Sequence, residues 1–226
     1  LLRSVAPGLG IAMADNHASY KRYADLDDVC VQIDCRVADE DLARRRRDGL
    51  LTTYYVCCSS AFPNTFTFSE PWEAVYMAWF AAACGYDGML RWSYNSWPAD
   101  PVRDSRFTAW PAGDTYLVYP DARSSIRFER LREGIQDYEK IRILRGELAS
   151  DNTPEGAAKR AELEAAVRPF EAHDPARPWP DLRHVDLAEA QLQCRRTRFQ
   201  PEIELAGIDE HRVGIDRVVV LAFGEP

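Results

Sequence analysis

Apolar residues gather in four short runs along the first hundred positions, at 9–14, 29–34, 51–58 and 88–97, and each run is followed by a helical pattern. The first three begin about twenty residues apart. Strands alternating with helices in this way predict a parallel α/β arrangement joined by crossover helices. Between the second and third runs, 39–48 reads as a short helix with a solvated face, on which the four arginines at 44–47 are expected. Glu70 and Pro71 open the next helix, Trp72, Val75, Tyr76, Trp79 and Phe80 recur on it at helical spacing, and Gly85 closes it. That stripe predicts core. The segment 98–125, with Pro101, Pro111 and Pro120 and many aromatics, has little periodicity, and a long loop in a compact domain is usually functional. A strong amphipathic helix is predicted over 126–148, with Ile126, Leu131, Ile135, Tyr138, Ile141 and Leu144 on one face. A second helix is predicted over 154–170, a proline-punctuated linker over 172–183, a helix over 186–196 and a strand over 217–223.

Charge and composition narrow the class. The net charge of −8 argues against nucleic acid as the main partner, because phosphate neutralisation needs a positive footprint. No apolar run approaches the 18 residues of a membrane span. Cys30 and Cys35 are five apart on one predicted strand and point to opposite faces, Cys57 and Cys58 are adjacent, and no Cys/His spacing suits a metal. The cysteines are therefore expected to be buried apolar thiols. No phosphate loop, Ser/His/Asp set or zinc-protease motif is present, and no cofactor is expected. The first residue is Leu1, and Ala12-Met13-Ala14 has the form of a signal cleavage site, but Pro7, Gly8 and Gly10 interrupt the apolar region, so a buried strand is expected there instead.

In a parallel α/β barrel the outer face of each strand lies under helices, and the inner face turns polar near the carboxyl end. Val29, Val31 and Ile33 then form a covered face, while Cys30, Gln32 and Asp34 look inward. In the fourth run Leu90, Trp92 and Tyr94 alternate with Arg91, Ser93 and Asn95, which places Arg91, Ser93 and Asn95 inside. A slip of one residue puts Tyr94 inside instead. The strand ends thus present Asp15 or Asn16, Asp34, Cys57 or Cys58, and Tyr94 or Asn95 with Trp97. Arg91 and Asp34 either pair across the lumen or serve a ligand. Trp97 and Trp110 either pack the loop or offer a flat platform to a sugar ring, whose C–H face is apolar and whose rim suits Asn, Asp and Arg. His17, just after a strand end, reads as a helix-start or surface residue.

The run Gly88-Met-Leu-Arg-Trp-Ser-Tyr-Asn-Ser-Trp97, the run Trp110-Pro-Ala-Gly-Asp-Thr-Tyr-Leu-Val-Tyr-Pro120 and the run from Arg123 to Glu139 closely resemble the C-terminal part of the glycoside hydrolase family 123-like catalytic domain. Tyr54-Tyr-Val-Cys-Cys58 and Phe62-Pro-Asn-Thr-Phe66 fit the same pattern, and the resemblance covers roughly 9–148. It implies the C-terminal part, about four β/α units, of a (β/α)8 barrel of the TIM type, followed by terminal helices. The expected division is a half-barrel over 1–148, a terminal helix over 149–171 and a linker with an unassigned tail over 172–226.

The activity that the resemblance implies is exo-acting, retaining and substrate-assisted hydrolysis of β-linked N-acetylgalactosamine, with the 2-acetamido oxygen as nucleophile. An adjacent Asp–Glu pair on an earlier strand supplies the acid/base in that family, so the chain is expected to lack the pair. Asp39-Glu40 falls at a helix start, where acidic residues are expected as caps, and Asp209-Glu210 lies in the unmatched tail. Asp34, Tyr94, Asn95, Trp97, Trp110, Asp114 and Tyr119 are the expected sugar-contacting residues, with no catalytic residue and no metal. The resemblance also implies a bacterial protein, secreted or periplasmic rather than cytoplasmic. The alternative is a non-catalytic carbohydrate-binding or structural half-barrel that self-associates as a homo-oligomer.

Overall fold

A computed structural model describes residues 2–106 and 109–171. Its elements in chain order are α1 (Leu2–Val5), β1 (Ala12–Asp15), α2 (Ser19–Arg22), β2 (Asp28–Gln32), α3 (Asp39–Arg47), β3 (Leu51–Val56), α4 (Pro71–Cys84), β4 (Gly88–Arg91), α5 (Ile126–Ser150), α6 (Pro154–Val167) and a closing 3-10 turn (Arg168–Glu171). The four strands pair in parallel as one sheet in the order β1-β2-β3-β4, an arrangement compatible with part of an α/β barrel. The linker, helix and strand predicted over 172–183, 186–196 and 217–223, and Asp209-Glu210, lie outside the described residues. Among those described, no helix is long and apolar enough to cross a membrane.

Residues paired across parallel strands share a face of the sheet. Val29 and Val31 pair with Thr52 and Tyr54, and with Val56 these side chains are all at most 3% exposed. Helices cover this face: the Tyr54 hydroxyl donates to the Met77 carbonyl of α4 at 2.6 Å, and Arg45 of α3 donates to the Thr52 hydroxyl at 2.9 Å. On the opposite face Gln32, Thr53, Tyr55 and Leu90 are half-buried, and Leu51 is 48% exposed. The alternation expected for the second strand therefore holds. In β4 it is inverted. Met89 pairs with Tyr54 and Arg91 with Val56, so Arg91 lies on the helix-covered face and Leu90 on the other. The strand is also shorter than the predicted run and ends at Arg91. Trp92 and Tyr94 belong to the irregular segment beyond it, so their apolar character says nothing about which face of β4 is covered.

Helix α4 is the centre of the core. A proline in its first turn, a reciprocal capping box between Glu70 and Glu73, and Gly85 in the left-handed conformation (φ 70°) define its ends. Its buried residues surround the helix instead of forming one stripe, because α4 lies between the sheet and α5. The buried positions of α5 are Arg127, Leu131, Gly134, Asp137 and Ile141. Ile126 is 62% and Ile135 47% exposed, so the predicted apolar face is rotated: polar Arg127 and Asp137 occupy core positions through specific partners. The arginine run differs in the same way. Arg45 is 1% exposed and donates to the Leu26 carbonyl at 3.1 Å and the Leu51 carbonyl at 2.6 Å, whereas Arg46 and Arg47 are exposed. Of the described cysteines, Cys30 and Cys84 are buried as expected, Cys35 and Cys57 are half-buried, and Cys58 is exposed.

Candidate functional site

Beyond β4 the described residues form no regular element until α5, and two stretches of the segment zip together. The amide of Leu117 donates to the Tyr94 carbonyl at 2.8 Å and that of Ser96 to the Thr115 carbonyl at 3.0 Å. Asn95 and Tyr116 form an isolated antiparallel bridge. Side chains complete the seam: the Ser93 hydroxyl donates to the Thr115 carbonyl at 2.7 Å, the Thr115 hydroxyl to the Ser96 carbonyl at 2.6 Å, and the Trp97 indole to the Val118 carbonyl at 2.7 Å. These bonds satisfy part of the loop's backbone within the loop itself.

This seam displays aromatic surface at the carboxyl end of β4. Trp92 and Trp110 meet edge to face, with centroids 5.3 Å apart at 61°, and each is 39% exposed. Tyr94 is 45% exposed and rests its edge on Phe128 of α5 at 5.9 Å. Trp97 is 38% exposed, Asn95 is exposed, and half-buried Tyr119 meets Tyr116 at 5.4 Å. Of the predicted residues, Tyr94, Asn95, Trp97, Trp110, Asp114 and Tyr119 therefore belong to one structured segment. Asp34 is exposed in the turn after β2, with β3 between it and β4. Trp92 joins the aromatic surface, although the alternation along the run places it under the helices.

Behind the aromatic surface lies a buried polar layer. Arg91 does not pair with Asp34; its guanidinium meets Asp114 Oδ1 at 2.9 Å, with the two side chains 6% and 0% exposed, and it also donates to the Asp114 carbonyl. The same Oδ1 lies 3.5 Å from the Trp92 indole nitrogen, and Arg91 reaches Asn64 Oδ1 at 3.4 Å. The register is the cause: on the helix-covered face Arg91 is turned away from the end of β2. Burial lowers the Arg91 pKa, and Asp114 opposes that effect. Arg127 of α5 donates to the carbonyls of Thr65, Gly113 and Tyr116, the last two at 2.9 Å, and lies 5.2 Å from the Tyr116 ring centroid.

Glu73 and Asp15 have structural partners. Glu73 accepts from the amides of Asn64 and Glu70, both at 2.9 Å, and burial raises its pKa against those two bonds. Asp15 accepts from the Ser19 hydroxyl and contacts His17 Nδ1 at 3.0 Å, and both contacts hold its pKa down. Ser19 bonds Asp15 instead of the imidazole, so these three residues are not an activated-serine arrangement. Asp39 and Glu40 sit exposed in the first turn of α3, where acidic side chains complement the helix dipole. Among the described residues no group of three His, Cys, Asp or Glu could hold a metal ion.

Residues 1–144 match the family described as glycoside hydrolase 123, catalytic domain. Among solved structures, the chain is similar to a family 123 glycoside hydrolase from Clostridium perfringens, analysed for glycolipid glycan hydrolysis, with 26% identity and a TM-score of 0.60. The likeness covers 70% of this chain and 28% of that one, so the chain spans little more than a quarter of the length of that relative. No curated protein matches the sequence.

Proposed function

Because the chain belongs to the glycoside hydrolase 123 catalytic-domain family, we propose that it forms part of a (β/α)8-barrel exo-glycosidase for β-linked N-acetylgalactosamine. In the proposed retaining reaction the 2-acetamido oxygen bonds to the anomeric carbon as the glycosidic C–O bond breaks. The leaving oxygen takes a proton from a carboxylic acid. Water then adds to the anomeric carbon, returns a proton to that carboxylate and reopens the cyclised acetamido group. The observation that carries this reading is the exposed aromatic surface at the carboxyl end of β4, where barrel enzymes bind substrate. A flat apolar surface edged with amide and hydroxyl groups suits a sugar ring. We assign sugar contact to Asp34, Tyr94, Asn95, Trp97, Trp110 and Tyr119. Asp114, fully buried behind the surface, supports it. We assign the acid/base Asp–Glu pair to an earlier strand of the barrel and not to this chain, since Asp39 and Glu40 stand in the first turn of α3 and Asp209-Glu210 lies in the unmatched tail.

The test is a titration of the chain with an alkyl β-N-acetylgalactosaminide, followed by tryptophan fluorescence, alongside a turnover assay with the corresponding aryl glycoside. Binding is expected to weaken about tenfold in Trp110→Ala, the loss of about 1.4 kcal/mol of stacking, with negligible turnover. Absence of binding sinks the sugar-site reading, and robust turnover by the chain overturns the assignment of the acid/base pair. A second reading, a carbohydrate-binding half-barrel that self-associates, is favoured by the sheet face on which Leu51, Tyr55 and Leu90 are not covered by helices. Light scattering decides it: a monomer at all concentrations removes that reading.

A further inference from the structure

The aromatic surface stands on a loop, and loops hold geometry poorly unless something fixes them. Two arginines from regular elements do so here. Arg91, the last residue of β4, reaches the backbone and side chain of Asp114 and the side chain of Asn64. Arg127, in the first turn of α5, takes the carbonyls of Thr65, Gly113 and Tyr116. Between them they join the strand end, the segment following β3 and both flanks of Asp114. Space around the second arginine is fully used: Gly113 has φ +82°, and a Cβ there would lie 2.7 Å from Arg127 Nη1 and 2.9 Å from the Thr67 amide nitrogen.

Asp114 is completely buried. Its Oδ1 meets the guanidinium on one side and stands 3.5 Å from the Trp92 indole on the other. A buried ion pair adds little stability over apolar packing of the same volume, but its geometry is fixed. We propose that Arg91 and Asp114 are a positioning pair: without touching ligand, they hold the zipped segment against β4 and fix Trp92, and through it the angle at which Trp110 meets a sugar. The proposal deepens the sugar-binding reading above and rests on it for the word sugar. The placement of the indoles stands by itself.

Four measurements test it on the full chain. In Asp114→Asn, the Trp92 and Trp110 indole signals in 1H–15N spectra are expected to move while that of Trp79, bonded to Asp137 at 3.3 Å in the core, stays. Affinity for the alkyl β-N-acetylgalactosaminide is expected to fall about tenfold, measured well below the lowered unfolding midpoint that an unpaired buried Arg91 brings, since loss of a fixed orientation weakens binding even in the folded variant. Arg91→Lys, which keeps the charge without the fork, is expected to restore less than half of the binding free energy lost in Arg91→Met. In the unaltered chain, the Ser96 and Leu117 amides are expected to exchange with solvent within about tenfold of the slowest α4 amides, because a clamped loop opens only with the core. The proposal is overturned if a folded Asp114→Asn leaves the Trp92 and Trp110 signals and the affinity unchanged. It is equally overturned if Ser96 and Leu117 exchange by local opening hundreds of times faster than α4, a reading that needs no variant to fold. If the unaltered chain binds no sugar while the indole signals still move, the sugar reading fails and the positioning pair stands.

Discussion

Arg45 is the side chain whose environment departs furthest from its sequence context. It sits among four consecutive arginines, a pattern that normally marks a solvated helix face, yet it is 1% exposed and reaches Thr52 and the carbonyls of Leu26 and Leu51. Burial pulls its pKa down, and Asp28 chiefly opposes that effect. Truncation leaves two buried carbonyls and a hydroxyl without their donor, so Arg45→Ala is expected to cost about 3 kcal/mol while exposed Arg47→Ala changes little, as urea denaturation will show. Equal costs at 45 and 47 would remove the argument. No local pattern distinguishes the four positions, because the partners of Arg45 come from β3 and from the turn before β2. Asp114 is the same case at the site. Its residue type and loop position are legible and suggest ligand contact, but its partner is decided by which way β4 turns Arg91.

At the scale of elements, punctuation is more legible than periodicity. The ends of α4 are set by Glu70, Pro71 and Gly85 and fall where those residues predict. The end of β4 is not, since Leu90, Trp92 and Tyr94 continue an apolar alternation beyond the last paired residue. The buried stripe of α5 also escapes a hydrophobic reading, because two of its members are Arg127 and Asp137 and a third is Gly134. That glycine sets the distance between the two central helices: a Cβ there would lie 2.8 Å from the Val75 carbonyl oxygen and 2.9 Å from the Val75 Cα. On the same helix Gly146 has nothing within 4 Å. Alanine substitutions should therefore have opposite signs. Gly146→Ala is expected to stabilise by about 0.5–1 kcal/mol through helix propensity, and Gly134→Ala to destabilise by about 2 kcal/mol as α4 and α5 are pushed apart. Thermal unfolding midpoints check both, and a stabilising Gly134→Ala would mean that the helices do not meet there.

For the whole molecule, the family match and the packed unit have different ends. The match stops at 144, inside α5, whereas the packing continues through α6 to the 3-10 turn. Val167 and Phe170 are 1% and 3% exposed, and the Phe170 ring lies 4.8 Å from Trp79 and 5.2 Å from Tyr76, both in α4. The Tyr76 hydroxyl also donates to the Phe170 carbonyl at 3.3 Å. The terminal turn thus covers the side of α4 that neither the sheet nor α5 reaches, and α4 is apolar all round because it is enclosed from three directions. If the turn is part of the core, Phe170→Ala is expected to cost about 3–4 kcal/mol, the range for a buried aromatic truncated to a cavity, measured by urea denaturation with an unchanged slope. A cost below about 1 kcal/mol, typical of a surface substitution, would make α6 and the turn an appendage and leave the apolar circumference of α4 without a reason. The aromatic surface proposed to bind sugar lies at the carboxyl end of β4, so the same variant is expected to retain the ligand affinity of the unaltered chain under conditions where both are folded.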